Sequence, residues 1–365
     1  MKIIIFGLSI TSSWGNGHAT TFRALVKALA QRGHDLAFFE RDAPWYADHR
    51  DAPTNPHCRV ILYKSLEEAK RLAASLVVNA DLVILGSYVP EGVALGEWLI
   101  AQARGVCAFY DIDTPVTLKA LKQDDSEYLT RWLVPRFDLY LSFTGGPTLN
   151  RLEETYGSPC ARPLYCAVDP DVHAPTAVHE RWLLGYLGTY SADRQATLER
   201  LLIEPAQIIS DAAFAVAGAQ YPSSVGWPAN VEHIPHLAPR DHAGFYASQR
   251  FTLNVTRADM IAAGYSPSVR LFEAAACGVP IVSDRWPGID AIFTPKEEIL
   301  IADNTAQMLT ILTEIPDDRR RAIAQAARRR VLQDHTAARR AAELEDFVSE
   351  AHAIRNARIG NHAYA

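Results

Sequence analysis

Cysteine is scarce and unpatterned. Cys58, Cys107, Cys160, Cys166 and Cys277 are the five cysteines of 365 residues, an odd number with no CxxC pair among them. That excludes a disulfide-stapled scaffold and a cysteine zinc site, and it fits a reducing, cytoplasmic setting. Long apolar runs are missing as well: none approaches the roughly 18–20 residues that cross a bilayer. The segment Met1–Ile10 is apolar with one lysine but has no small-residue cleavage site, so Ile3-Ile4-Ile5-Phe6 reads as a buried first strand rather than a secretory signal. Low-complexity stretches are absent. So is any excess of positive charge: 36 Lys and Arg against 42 Asp and Glu leave a net charge of −6, which argues against a nucleic-acid partner. The charge runs that exist, Arg319–Arg321 and Arg328–Arg330, read first as a solvated helix face, with docking on an anionic membrane as the other reading.

What is present is the composition of a well-folded chain, 48% hydrophobic and 21% charged, long enough for two cores. Strand and helix patterns alternate from the first residue. Lys2–Phe6 is an apolar run ending in Gly7, and a polar loop follows. A helix over His18–Arg32 carries Phe22, Leu25, Val26 and Leu29 on one face, with Gly33 placed to end it. Leu36–Phe39 is the next strand, with Glu40 at its end, and Asp81–Leu85, Val106–Tyr110 and Asp138–Phe143 follow. The pattern restarts near Arg181, with Trp182–Gly188 as strand, Thr189–Arg194 as loop and Gln195–Leu202 as helix. Ala212–Ala217, Val231–Pro235, Phe251–Val255, Val279–Ser283 and Glu298–Ala302 are later strands. Near-continuous apolar strands alternating with helices predict parallel sheets covered on both faces. The expectation is an α/β chain of two Rossmann-like domains facing across a cleft. Residues 1–172 form the first domain and 173–340 the second, with 341–365 a helical tail packing back on the first.

Ligands of open parallel sheets bind beyond the carboxyl ends of the strands, so candidate site residues are those just after strands. In the second half, a helix starts near Ser266-Pro267-Ser268, with serine as N-cap and proline at its first position. Such a helix start suits a phosphate. Glu273 lies five residues past Ser268, where a carboxylate could accept two hydrogen bonds from a ribose diol. Gly188 lets backbone approach a ligand. Arg194 and Arg257 are rival partners for a diphosphate, where a preorganised guanidinium would stabilise negative charge without a metal. In the first half, the glycine-rich loop Gly7–His18, with Gly15, Asn16 and Gly17, opens a helix. His18 at its start is the leading general base, since its ordinary pKa is near neutral and the helix start favours its proton-accepting form. Asp111 and Asp113, after another strand, are the other candidates, shaping a pocket or supplying a base. The Asp111–Asp113 spacing invites a metal reading, but no metal is assigned to it.

The run Arg270-Leu271-Phe272-Glu273-Ala274-Ala275-Ala276-Cys277-Gly278-Val279-Pro280-Ile281-Val282-Ser283 resembles the donor-binding signature of GT-B glycosyltransferases, and more closely that of the CgeB-type (spore-maturation-protein-like) family. The resemblance is strong over about Phe251–Asn304 and is supported by Tyr186–Arg194, Gly218–Pro222 and His335-Thr336 with Arg339. It implies that Glu273 binds the donor ribose and that Ser268 and its neighbours, Arg270 included, sit near the diphosphate. Many retaining members carry a second glutamate eight residues before the ribose glutamate. Here that position is Tyr265, so the resemblance assigns no glutamate role there and leaves the stereochemical outcome open. The implied activity is transfer of a sugar from a nucleoside-diphosphate sugar to a hydroxyl of a glycan, glycolipid or small molecule, with no cofactor beyond the donor. A nucleotide-sugar epimerase and an NAD-dependent oxidoreductase share such sheets. Glu40 suits the latter, but no GxGxxG follows the first strand.

Overall fold

The computed structural model describes residues 1–14 and 17–362. The chain divides into two compact units: Met1–Cys166 together with the segment from Ala337 onward, and Ala167–Thr336.

The first unit holds seven strands: β1 (Lys2–Gly7), β2 (Asp35–Arg41), β3 (Arg59–Tyr63), β4 (Leu82–Gly86), β5 (Val106–Asp111), β6 (Leu139–Ser142) and β7 (Ala161–Pro163). All are parallel, in the order β3-β2-β1-β4-β5-β6-β7. The central strands bury nearly every side chain because helices cover both faces. Two strands that the hydrophobic pattern does not announce, β3 and β7, are the two edges. The first is half-buried and the second is three residues ending in proline, so neither shows a continuous apolar run. The helix His18–Gln31 ends at Arg32, and Gly33 follows with a φ of +86° that suits glycine. The helix Ala337–His362 packs on it. Arg32 and His34 both reach Glu345, Arg162 reaches Glu350, and Arg355 donates to the Gly105 carbonyl.

The second unit holds β8 (Trp182–Leu187), β9 (Phe214–Ala217), β10 (Val231–Ile234), β11 (Gln249–Asn254), β12 (Ile281–Ser283) and β13 (Leu300–Ile301). They are parallel in the order β10-β9-β8-β11-β12-β13. The expected strand over 298–302 shrinks to the two residues of β13, again at an edge. The strand order reverses beside β1 and β4 in the first unit and beside β8 and β11 in the second. Each reversal opens a crevice at the carboxyl ends of those strands, the default ligand position of such sheets.

The arginine clusters are less exposed than their charge suggests. Arg320 is buried and donates to Glu180 and to the Arg250 carbonyl. Arg328 donates to the Ala276 carbonyl and Arg330 to Glu298. These bonds tie the helix Asp317–Asp334 to the rest of the second unit, as does the bond from the exposed Arg319 to the Lys296 carbonyl, leaving Arg321 and Arg329 on its outer face. Among the described residues no helix is long and apolar enough to cross a membrane.

Candidate functional site

In the second unit, the predicted donor residues gather at the β8/β11 crevice. The helix Val269–Ala276 starts there, with Ser268 as its N-cap residue in extended conformation. Pro267 precedes the cap rather than occupying the first helical position, so it fixes the entry of the chain instead of the first turn. The Ser268 side chain makes no capping hydrogen bond, which leaves the first-turn N–H groups uncapped by it. Arg270, in the first turn, is buried and folds back over the strand ends. Its guanidinium donates to the Leu187 carbonyl and to Oδ1 of Asn254 (2.8 Å), and lies 4.8 Å from the Tyr186 ring centre. Gly188 is needed beneath it: a Cβ there would lie 2.5 Å from the Tyr186 hydroxyl and 2.8 Å from Nη2 of Arg270.

Arg194 lies on the helix Ala192–Leu198, not in the loop expected before it. Asp193 in the first turn favours that earlier start. The Arg194 side chain donates to the Thr189 carbonyl, while its buried Nε has no partner among the described residues. Burial pushes this guanidinium below its ordinary pKa, and the neighbouring Arg270 charge adds to the effect. The repulsion between these two partly desolvated cations, only partly offset by Asp193, is a cost that an anion would relieve. Arg257 caps the next helix, Ala258–Ala263. Burial alone would raise the Asp193 carboxyl, but hydrogen bonds from Ser191 and the Ala258 N–H, with the charges of Arg257 and Arg194, hold it low. Tyr265 takes a left-handed φ of 48° and bonds through its N–H to the Pro287 carbonyl, a strained non-glycine conformation of the kind that gathers at binding sites.

Glu273 is nearly buried, at 4% exposure. Its Oε2 accepts a hydrogen bond from the Tyr246 hydroxyl at 3.1 Å. His173 Nε2 lies 3.6 Å from Oε1, and His242 Nδ1 lies 3.9 Å from Oε2. Burial would raise the carboxyl, but the two imidazoles, Tyr246 and Arg270 more than offset it and hold the pKa low. Burial pushes His242 down. The donor atoms of the three residues lie within 4.8 Å of one another, a spacing that could also hold a metal ion. Sequence reasoning names neither histidine. His173 sits ahead of the first strand expected in the second domain and His242 opens a six-residue helix, so no spacing pattern joins them to Glu273.

In the first unit, the loop after β1 is tied down by Glu40. Its Oε2 accepts from the N–H groups of Ile10 (2.6 Å) and Thr11 (2.9 Å), and its Oε1 from the Thr11 hydroxyl (2.5 Å). A carboxylate so engaged and without exposed surface is not presented to a cofactor ribose, which removes the one feature that suited the oxidoreductase reading. His18 begins its helix half-buried, its ring centre 5.7 Å from that of Phe143. Gly17 precedes it; Gly15 and Asn16 lie outside the described residues. Asp111 has no exposure. Tyr140 donates to one of its oxygens (2.6 Å) and Thr117 to the other (2.7 Å). Burial lifts its pKa to about 6. Asp113 is half-exposed and accepts from the Tyr88 hydroxyl at 3.0 Å, so of the two aspartates it is the one with surface to offer.

Residues 194–346 match a family model described as glycosyl transferase-like. No curated protein matches the chain by sequence. Several solved structures share its fold at low identity. Sucrose-phosphate synthase from Thermosynechococcus elongatus aligns with a TM-score of 0.68 at 14% identity, covering 97% of this chain and 100% of that one. Anabaena HepE, solved with UDP and glucose, aligns at 0.67 and 15%, covering 96% and 100%. An α-glucosyltransferase solved with UDP-glucose and DNA containing an abasic site aligns at 0.70 and 12%, covering 96% and 99%. At such identities the likeness is one of fold: two parallel, Rossmann-like sheets, as in GT-B glycosyltransferases.

Proposed function

We infer that this glycosyl transferase-like chain of GT-B fold transfers a sugar from a nucleoside-diphosphate sugar to an acceptor hydroxyl. The observation that carries the reading is the pair Arg194, half-buried, and Arg270, buried, two guanidiniums that repel each other where the β8/β11 crevice meets the start of the helix Val269–Ala276. A diphosphate supplies the missing negative charge. Attack by the acceptor oxygen at the anomeric carbon breaks the bond to the diphosphate, and the charge that develops on the departing phosphate falls on donors already in place. Gly188 gives the phosphates access to backbone, Tyr265 and Ser268 border them, and Glu273 anchors the ribose. Arg257 reaches the site through Asp193, which it shares with Arg194.

His18 takes the acceptor proton in this reading, with Asp113 as the alternative base; Asp111 acts by fixing the loop after β5, since both its oxygens are engaged. Structures of this fold solved with UDP make a uridine donor the first to try. Glycans, glycolipids and small molecules are the acceptor classes. The net charge of −6 is the sole argument against nucleic acid, and one structure of the same fold was solved with DNA, so an oligonucleotide belongs in the acceptor panel. A CgeB-type assignment rests on the resemblance over about Phe251–Asn304 and its supporting segments.

The test is a set of melting curves with UDP, GDP, dTDP, ADP, CMP and NAD. A ligand at a hundred times its dissociation constant adds about 2.7 kcal/mol. One nucleoside diphosphate raises Tm, and Arg194→Ala weakens its binding by about 1.5–3 kcal/mol. Stabilisation by NAD alone, or by none of these, rules the reading out.

A further inference from the structure

We propose that His173 and His242 are ribose-recognition residues: with the two oxygens of Glu273 they form two imidazole–carboxylate pairs, each built to hold one hydroxyl of the donor's ribose. The inference rests on the donor-site reading above and extends it to two side chains that the signature around Glu273 does not contain.

Three observations carry it. First, the pairs are close but unbonded. His173 Nε2 is 3.6 Å from Oε1 and His242 Nδ1 is 3.9 Å from Oε2, both beyond hydrogen-bond reach. A hydroxyl oxygen about 2.8 Å from each member of a pair closes the gap, donating to the carboxylate and accepting from the imidazole N–H. Second, the nitrogens are orphans. Both ring nitrogens of His173, and Nδ1 of His242, are buried with no hydrogen-bond partner among the described residues, and His173 is only 4% exposed. Buried polar atoms without partners are rare, and a ligand is one of their standard explanations. Third, the cluster sits in the right place. Glu273 follows Arg270 and Ser268 on one short helix, so the diol pocket lies one turn beyond the proposed phosphate cradle, as a ribose follows its phosphate.

The three donor groups would also accommodate a metal ion. The diol fits better because the carboxylate divides its oxygens, one toward each imidazole. Two hydroxyls match two separate pairs, whereas a single ion would draw both nitrogens toward one centre. Tyr246 also donates to Oε2.

The experiment measures dissociation constants of UDP, GDP and ADP, each beside its 2′-deoxy and 3′-deoxy form, for the unchanged chain, His173→Gln and His242→Gln. Ligand-free melting curves establish that each variant is folded. For the nucleotide that binds, removing a hydroxyl weakens the unchanged protein on the order of tenfold to a hundredfold. The same removal costs little in the variant that has lost that hydroxyl's imidazole. Ribo-over-deoxy discrimination undiminished in both variants overturns the proposal while leaving the donor reading standing. Binding of dTDP but of none of the three ribonucleotides overturns the proposal alone, and binding of no nucleoside diphosphate overturns both. A stoichiometric zinc or cobalt ion, held by the untagged chain and lost in His173→Gln, overturns it in favour of a metal site.

Discussion

Asp111 sits at the end of β5 with no exposed surface, and burial lifts its carboxyl to about 6. An unfolded aspartate titrates near 3.9. Between these values the folded chain binds the extra proton, so this group makes the first unit more stable as pH falls from about 6 to about 4, with the gain complete below that window. Urea midpoints at pH 4.5 and 7.5 read the effect. Asp111→Asn flattens the difference between the two pH values, and an identical pH slope in both proteins would refute the shifted carboxyl. That Gly188, Arg194, Ser268 and Arg270 lie at strand ends and helix starts was legible in the sequence, because those are local patterns. His173 and His242 were not. They meet Glu273 from a loop and from a separate short helix, and only the folded chain brings their nitrogens to one carboxylate.

At the scale of elements, the central strands of the first sheet announce themselves and its edge strands do not. β1, β4 and β5 are continuous apolar runs, whereas β3 and β7 have too little burial to leave a pattern. The parallel α/β class was therefore legible, and so were both edges of the second sheet, but the outermost strands of the first were not. The loop after β1 shows the opposite error, since Glu40 has the place of a cofactor ligand but the work of a structural clamp. Replacing Glu40 by Ala strands two buried N–H groups and one hydroxyl. Each stranded group costs about 1–3 kcal/mol, so the urea midpoint falls sharply while nucleotide binding by the second unit is retained in conditions where the variant is folded. A variant as stable as the parent would mean that the loop finds other partners.

At the scale of the molecule, the first unit is discontinuous: its last helix arrives after the whole second unit. That helix buries Ala341, Leu344, Val348 and Ala351 and supplies Glu345 and Glu350 to Arg32, His34 and Arg162. A chain stopped after Thr336 exposes the apolar surface these residues cover. Its first unit should melt well below that of the full chain, while the second keeps its nucleotide-induced shift. Unchanged two-unit melting would show the helix to be dispensable.

The same discontinuity orders events during synthesis. Ribosomes add about 5–20 residues per second, so some 170 residues of the second unit separate Cys166 from Ala337 by roughly 10–30 s. For that interval the nascent first sheet waits with one flank of the helix His18–Gln31 uncovered, and the second unit has time to fold before its neighbour is complete.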